Sequence, residues 1–137
     1  LQSLLSLMEL AYLEGLGLNF SRHQTTNSDS LLTNITILLD RAPNVHELRI
    51  NGNDFSMNKI CSIVPRRIKT LMIWVKTYED MKTVLEQLDF VSTITFRYED
   101  YKNRSQSFAQ IIQWLTQEKQ KTFTHKKDRN VLEISFH

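Results

Sequence analysis

The amino-acid sequence predicts an α/β solenoid, with parallel strands on a concave side and helices on a convex side. Its 137 residues fit one domain, and 41% of them are hydrophobic, so the chain can build a core. With only three glycines and two prolines, it is not a turn-dense all-β chain. Two apolar patterns alternate along it, and one recurs at 23-residue steps. We therefore treat residues 1–137 as a single repeat domain and, because they begin at Leu1, expect a fragment of a longer chain.

The first pattern is the spacing i, i+3, i+4, i+7, which places four apolar side chains on one face of a helix. It predicts five helices. The five sets are Leu1/Leu4/Leu5/Met8, Ile35/Leu38/Leu39/Ala42, Met57/Ile60/Cys61/Val64, Met81/Val84/Leu85/Leu88 and Phe108/Ile111/Ile112/Leu115.

The second pattern has apolar residues at places 1, 4 and 6, which favours a short strand with one buried face. The sets are Val45/Leu48/Ile50, Ile68/Leu71/Ile73, Val91/Ile94/Phe96 and Val131/Ile134/Phe136. An earlier strand lies within residues 10–18, in one of two registers, Leu13/Leu16/Leu18 or Leu10/Leu13. The chain therefore alternates helix and strand in about five units.

Prolines, capping residues and polar stretches predict where these elements end. Pro43 and Pro65 follow helical sets, where proline stops a helix. Oxygens for helix N-termini come from residues 29–30 and from Asp54 or Ser56. Residues 19–30 are polar and predict a loop. Residues 116–130 predict an extension of the last helix, a strand and a turn from Lys126 to Asn130, so that a hairpin caps the open end of the solenoid.

Repeats of 20–29 residues with one strand and one helix each are typical of leucine-rich repeats. Residues 45–53, VHELRINGN, resemble the unit L-x-x-L-x-L-x-x-N, with Asn53 at the last place. Lys76 and Glu99 occupy that place in the next two units, so no asparagine ladder runs through the stack. With the RAPNV segment at residues 41–45 and the Trp114-Leu115 pair before a basic hairpin, the whole chain resembles the repeat region of F-box-type leucine-rich-repeat proteins.

This resemblance implies a function. In that family the repeats hold the substrate of a ubiquitin ligase, while an F-box, which this sequence does not contain, binds the ligase scaffold. We therefore expect a protein–protein interaction module, the substrate-recognition region of an F-box-type ligase adaptor.

The alternation of side chains along strands predicts which residues face a partner. If all strands are parallel, the outward rows include Arg49 and Met72 in one row and Trp74 and Arg97 in the next, with Glu133, Ser135 and His137 supplied by the last strand. Trp and Arg are the residue types that dominate binding hot spots. The predicted partner-binding residues are Arg49, Asn51, Met72, Trp74, Lys76 and Arg97. A second interpretation stays open, in which Trp74 lies under a neighbouring loop such as residues 19–30.

The sequence contains no pattern typical of catalysis, cofactor binding or metal binding, so we expect no enzyme, no cofactor and no metal site. The four histidines lack the i, i+4 spacing and the cysteine pairs of zinc sites. Cys61 falls on an apolar helical face, where a buried, unreactive thiol is expected. The glycines do not form a phosphate-binding loop.

Nucleic acid is the alternative partner. The net charge is only +2, but residues 65–137 carry 13 basic and 9 acidic groups. Basic residues are concentrated in the C-terminal hairpin around Phe123 and His125. Basic side chains can bind phosphates, and an aromatic ring among them can stack on a base. We nevertheless expect a solvated cap there. The single cysteine, the absence of a basic leader and the acidic residues Glu9 and Glu14 predict an intracellular protein, cytoplasmic or nuclear, without a membrane span.

Overall fold

The structure is a computed structural model that describes residues 12–19, 28–52, 55–99, 104–119 and 121–137. Within these ranges the chain is a mixed α/β fold with a six-stranded sheet and four α-helices. In chain order the elements are β1 (Gly15–Asn19), α1 (Ser28–Asp40), β2 (Glu47–Asn51), α2 (Met57–Ser62), β3 (Thr70–Val75), α3 (Tyr78–Gln87), β4 (Thr93–Tyr98), α4 (Arg104–Trp114), β5 (Phe123–Asp128) and β6 (Val131–Phe136). A π-helical turn, Leu115–Lys119, continues α4, as the predicted extension of the last helix requires.

The sheet order is β1-β2-β3-β4-β6-β5, and the first four strands are parallel. Glu47 of β2 pairs with Thr70 of β3, which in turn pairs with Thr93 of β4. The offset between neighbouring strands is therefore 23 residues at both steps, equal to the period of the apolar pattern. Gly15 of β1 pairs with Glu47 across a longer offset of 32 residues.

The chain enters successive strands through the same hydrogen bonds. The N–H groups of Lys69 and Thr70 both donate to the carbonyl oxygen of His46, at 2.8 and 3.1 Å. One strand further on, the N–H groups of Ser92 and Thr93 both donate to the carbonyl oxygen of Lys69, at 2.9 and 3.0 Å. The backbone thus repeats its local geometry every 23 residues.

The helices cover one face of the sheet. Alternate residues of β2, β3, β4 and β6 are buried, and they form a single core cluster with the apolar faces of the helices. Strand members of this core are Leu48, Ile50, Leu71, Ile73, Val75, Ile94, Phe96, Tyr98, Leu132 and Ile134. The helical sets at residues 35–42, 57–64, 81–88 and 108–115 all contribute to it, as predicted. The set that begins at Leu1 lies outside the described residues.

The last strand differs from the prediction, because β6 runs antiparallel to both β4 and β5. A two-residue turn, Arg129–Asn130, joins β5 to β6, and Arg129 adopts a positive φ of 50°. The predicted turn from Lys126 to Asn130 was therefore too long, since residues 126–128 belong to β5. The hairpin is present, but β6 inserts beside β4 and leaves β5 as the edge strand.

Side-chain hydroxyls cap the N-terminal ends of two helices, and the cap at Ser56 was predicted from the sequence. The Ser56 hydroxyl accepts a hydrogen bond from the Lys59 N–H at 3.3 Å and caps α2. At α3 the Thr77 hydroxyl accepts from the Asp80 N–H at 3.1 Å. Helix α1 begins at Ser28, so residues 28–30 are its first turn rather than the end of a loop. Asn19 likewise belongs to β1, which takes the Leu13/Leu16/Leu18 register.

Arg67, whose role was not predicted from the sequence, links the segment before β3 to the segment between α1 and β2. Its Nη2 donates to the carbonyl oxygens of Ala42, at 3.0 Å, and of Leu39. Its Nε donates to the carbonyl oxygen of Val45 at 3.2 Å. The guanidinium therefore adds a charged donor to the carbonyl groups around the C-terminal end of α1 and the turn into β2, where the Leu39 and Ala42 oxygens also accept backbone N–H groups.

Replacing Arg67 with alanine should lower the free energy of unfolding by about 3 kcal/mol, because three carbonyl groups lose a charged donor. Urea denaturation monitored by circular dichroism measures the change. The neighbouring Arg66 is exposed, and its Cζ lies 5.2 Å from the centroid of the Phe90 ring. Arg66→Ala is the matched control and should cost less than about 1 kcal/mol. Equal losses for the two variants would contradict the role given to Arg67.

Candidate functional site

The face of the sheet opposite the helices carries the predicted partner-binding residues. Strand register places Arg49 of β2 beside Met72 of β3, and Trp74 of β3 beside Arg97 of β4. These four residues are cross-strand neighbours in two adjacent rows, and we call them the Arg–Trp patch. Arg49 is exposed and the other three are half-buried.

Trp74 and Arg97 form a cation–π pair. The Arg97 Cζ atom lies 5.2 Å from the centroid of the Trp74 ring. The Arg97 Nε is buried without a hydrogen-bond partner, as is the Oδ1 of Asn51. Within the described residues no carboxylate pairs with Arg97 or with Arg49. An aromatic ring with a guanidinium stacked on it and no counter-charge is an arrangement suited to an anionic or carbonyl-bearing ligand.

Asn51 and Lys76 flank this patch in different surroundings. Asn51 ends β2 and is half-buried. Lys76 is exposed and follows directly after β3, where its N–H donates to the Asp80 Oδ2 at 3.0 Å. That hydrogen bond holds the turn from β3 into α3. Lys76 thus lies at the end of the patch rather than within the sheet.

A groove of about 320 Å³ adjoins the patch on the same face. Gly15 and Gly17 of β1 line it together with Glu47, Arg49 and Met72. A Cβ atom on Gly17 would have no neighbour within 4 Å, so open space lies above this position. This groove was not predicted from the sequence. Glycines at two alternate positions of one strand were the signal, since such residues leave the sheet surface bare.

The predicted outward rows are wrong at the last strand. Because β6 is antiparallel, Ser135 pairs with Thr93 and Glu133 pairs with Thr95, which reverses the expected order. Val131, expected in the core, pairs with Arg97 and stands in the place expected for His137. His137 follows the end of β6, and its Nε2 lies 3.1 Å from the Thr124 hydroxyl. The four patch residues are unaffected, since they all lie on parallel strands.

The sequence allows a second interpretation, in which a loop covers Trp74. Residues 20–27, the centre of the loop expected there, lie outside the described residues. Within the described chain, the ring contact recorded for Trp74 is the one with Arg97.

The basic residues of the hairpin lie on two faces of β5. Lys126 faces the same side as Glu133, its register partner, whereas His125 and Lys127 pair with the inward-facing positions Ile134 and Leu132. Phe123 packs against Phe136, with ring centroids 6.4 Å apart. The cations therefore do not form one continuous strip along this strand.

A second tryptophan lies on the helix side. Trp114 ends α4, and the Nζ atoms of Lys82 and Lys119 lie 5.7 and 5.8 Å from the centroid of its ring. It lines an open hollow of about 250 Å³ with Tyr78 and glutamine side chains. Trp114 and Trp74 thus both form cation–π contacts, Trp114 on the helix side of the sheet and Trp74 on the opposite face.

Cys61 lies buried on α2, only 4% exposed. Burial raises the pKa of its thiol from 9.0 to about 12, with a smaller contribution from the negative charge of Asp80. A thiolate is the nucleophilic form, so this cysteine is unreactive at neutral pH. Across the described ranges, no three His, Cys, Asp or Glu side chains converge as metal ligands.

The raised pKa predicts two measurable properties of Cys61. A thiol reagent should modify the native protein at pH 8 far more slowly than the protein unfolded in urea. Because the folded state holds the thiol proton more tightly, its contribution to stability is complete below pH 9 and is lost as the pH rises towards about 12. The free energy of unfolding should thus fall more steeply over this range for the native chain than for Cys61→Ala. Rapid modification at pH 8 would show that the thiol is accessible.

None of the described helices is both long and apolar enough to cross a bilayer. Comparison of the chain with protein-family models, with curated proteins and with solved structures finds no match.

Proposed function

We propose that this chain is a protein-interaction module. Its contact surface is the face of the sheet opposite the helices, which we call the open face, and it is centred on the Arg–Trp patch. The observation that carries the proposal is the pairing of Trp74 with an arginine that forms no ion pair with any described residue, on a face that the described helices do not cover. The described helices bury the other face, so among the described elements the face that carries the patch is the one left for a partner. Trp and Arg are the side chains that contribute most at such interfaces.

The proposed architecture is a leucine-rich-repeat-like solenoid with the patch on its concave side. Two features support it: the 23-residue register of β2, β3 and β4, and the hydrogen bonds that recur at each strand entry. The hairpin of β5 and β6 would then be the terminal cap that such arrays need. Extended concave surfaces are where these proteins bind their partners.

We further propose that the module recruits substrates to a ubiquitin ligase, in the cytoplasm or nucleus. The support is the resemblance of the repeats to those of F-box-type proteins, together with the single cysteine, which fits a reducing compartment. The coding sequence upstream of the codon for Leu1 tests this part. An in-frame F-box-like helical segment would support it, and an unrelated upstream domain would contradict it without affecting the interaction module.

Nucleic acid is the less favoured partner. A site for a phosphate backbone requires cations along one surface, whereas the lysines of β5 are divided between its two faces. The salt dependence of binding separates the two classes, because displaced counterions make nucleic-acid affinity fall steeply with salt.

Site-specific cross-linking tests the interaction module. A photoreactive residue replaces Thr95, which is in register with Met72 on the open face, or Glu86, which is exposed on α3. Irradiation in cells should give a discrete protein adduct from position 95 and none from position 86. Adducts of equal yield from both positions, or none from position 95, would overturn the proposed surface.

A further inference from the structure

The charges around the Arg–Trp patch indicate what kind of partner it accepts. Arg49 and Arg97 lie on opposite sides of β3, and between them stand the half-buried side chains of Met72 and Trp74. Neither guanidinium has a carboxylate partner within the part of the chain that the structure describes. Two unpaired cations beside an apolar centre are complementary to a segment that carries two anions beside an apolar side chain.

The acidic side chains on this face limit where the anions of such a segment can bind. Glu47 lines the groove two residues before Arg49 on the same strand. The exposed Glu99 follows Arg97 by two residues at the other end of the patch. Glu133 is in register with Lys126 of β5, which offsets its charge. An anion is therefore favoured at Arg49 and Arg97 and disfavoured beside Glu47, so the partner's apolar part belongs in the groove.

The spacing of the arginines sets the spacing of the anions. Arg49 and Arg97 lie two strands apart across the sheet and two register positions apart along it. With about 4.8 Å between strands and about 3.3 Å per residue, their Cα atoms are roughly 12 Å apart. An extended peptide covers this distance in about three or four residues.

We propose that the Arg–Trp patch and its groove bind an extended acidic peptide segment of another protein. Two carboxylates, three or four residues apart, pair with Arg49 and Arg97, and a neighbouring apolar side chain enters the groove over Gly17. This proposal rests on the proposed interaction module and adds the chemistry of its partner. The Arg97 Nε, buried and without an acceptor, gains one when a carboxylate moves the guanidinium from the Trp74 ring.

The groove offers a variant that separates binding from folding. Gly17 lies in a strand, its backbone does not adopt a positive φ, and a Cβ there meets nothing within 4 Å. Gly17→Leu should therefore fold at least as well as the native chain, because glycine weakens a strand. The leucine side chain would nevertheless occupy the groove.

Selection from a displayed library of random twelve-residue peptides tests the proposal. The native chain should enrich peptides with two Asp or Glu residues three or four positions apart beside an apolar residue. The variant Arg49→Glu with Arg97→Glu should instead enrich Lys and Arg at that spacing. Gly17→Leu should bind the best acidic peptide at least about tenfold more weakly, with an unchanged or higher melting temperature.

Several results would overturn the acidic-peptide assignment. These are no enrichment by the native chain, enrichment of neutral or basic peptides, an acidic preference that survives the charge reversal, or undiminished binding by Gly17→Leu. Displacement of the peptide by a single-stranded oligonucleotide, with a steep salt dependence, would assign the patch to nucleic acid instead. If peptide selection fails while cross-linking from position 95 still gives a protein adduct, the interaction module stands and only its acidic partner is wrong.

Discussion

Replacing Leu85 with aspartate is expected to leave the chain unfolded. Leu85 lies on the inner face of α3, is 4% exposed and belongs to the single core cluster. The substitution removes a buried side chain worth about 2–5 kcal/mol and places an unpaired carboxylate in an apolar environment. The combined cost approaches the roughly 5–15 kcal/mol by which a domain is stable.

Circular dichroism and urea denaturation at neutral pH measure this loss. The control lies two residues further along the same helix, at the exposed Gln87, whose amide donates to the Asn58 Oδ1. Gln87→Asp introduces the same side chain and should cost no more than about 1 kcal/mol, since it loses one exposed hydrogen bond. A cooperative unfolding transition of Leu85→Asp close to that of the native chain would mean that α3 does not pack as described.

The double substitution Trp74→Ala with Arg97→Ala is expected to abolish partner capture while the fold remains intact. Both side chains lie on the open face, so their removal leaves the core cluster complete. Loss of a hot-spot pair weakens an interface by at least about 2 kcal/mol, or roughly thirtyfold in affinity. Loss of the cation–π contact itself should lower stability by only about 1 kcal/mol.

Trp114 and Lys119 provide the control for this experiment, in a variant whose circular dichroism spectrum is native, because the Trp114 ring also packs against the core. Trp114→Ala with Lys119→Ala removes the same kind of contact, a lysine over an indole ring at 5.8 Å, from the helix side. The yield of the adduct from position 95 should fall for the first pair and persist for the second. Retained capture by Trp74→Ala with Arg97→Ala, in a chain with a native circular dichroism spectrum, would contradict the proposed surface.

The strand prediction succeeded where a turn precedes the strand. In the sets that begin with Val45, Ile68 and Val91, the first apolar residue lies before the strand and is buried in the turn. In all three turns its N–H donates to the carbonyl oxygen three residues earlier, at 3.1–3.2 Å. The 1, 4, 6 pattern was thus a repeat of turn plus strand, which explains how places 1 and 4 can share the core.

The same pattern failed at Val131 because no such turn precedes it. Strand β6 begins at Val131 itself, directly after the hairpin, so strict alternation turns this side chain outward. Leu132 and Ile134 are the fully buried residues instead. A pattern of apolar places does not carry the direction of a strand, and only the pairing of β6 with β4 reveals it.

Part of the candidate site could also be predicted. The neighbourhood of Arg49, Met72, Trp74 and Arg97 follows from the 23-residue period, because equal offsets bring equivalent positions side by side in a parallel sheet. The groove could not be predicted from this period, since it depends on which face of β1 carries Gly15 and Gly17. Nor could the role of Arg67, whose three acceptors lie between 22 and 28 residues away in the chain.

The sequence by itself determined the alternation of helices and strands, the buried faces of α1 to α4 and of β2 to β4, and the period that aligns β2, β3 and β4. These properties arise from local periodicity and solvent exclusion, which act on each segment separately. Tertiary structure alone decided the direction of β6, the edge position of β5, the groove beside β1 and the carbonyl cluster bound by Arg67. Each of these depends on contacts between segments that are distant in the chain. The local apolar pattern is compatible with several arrangements of those segments, and packing and hydrogen bonding between them determine which one forms.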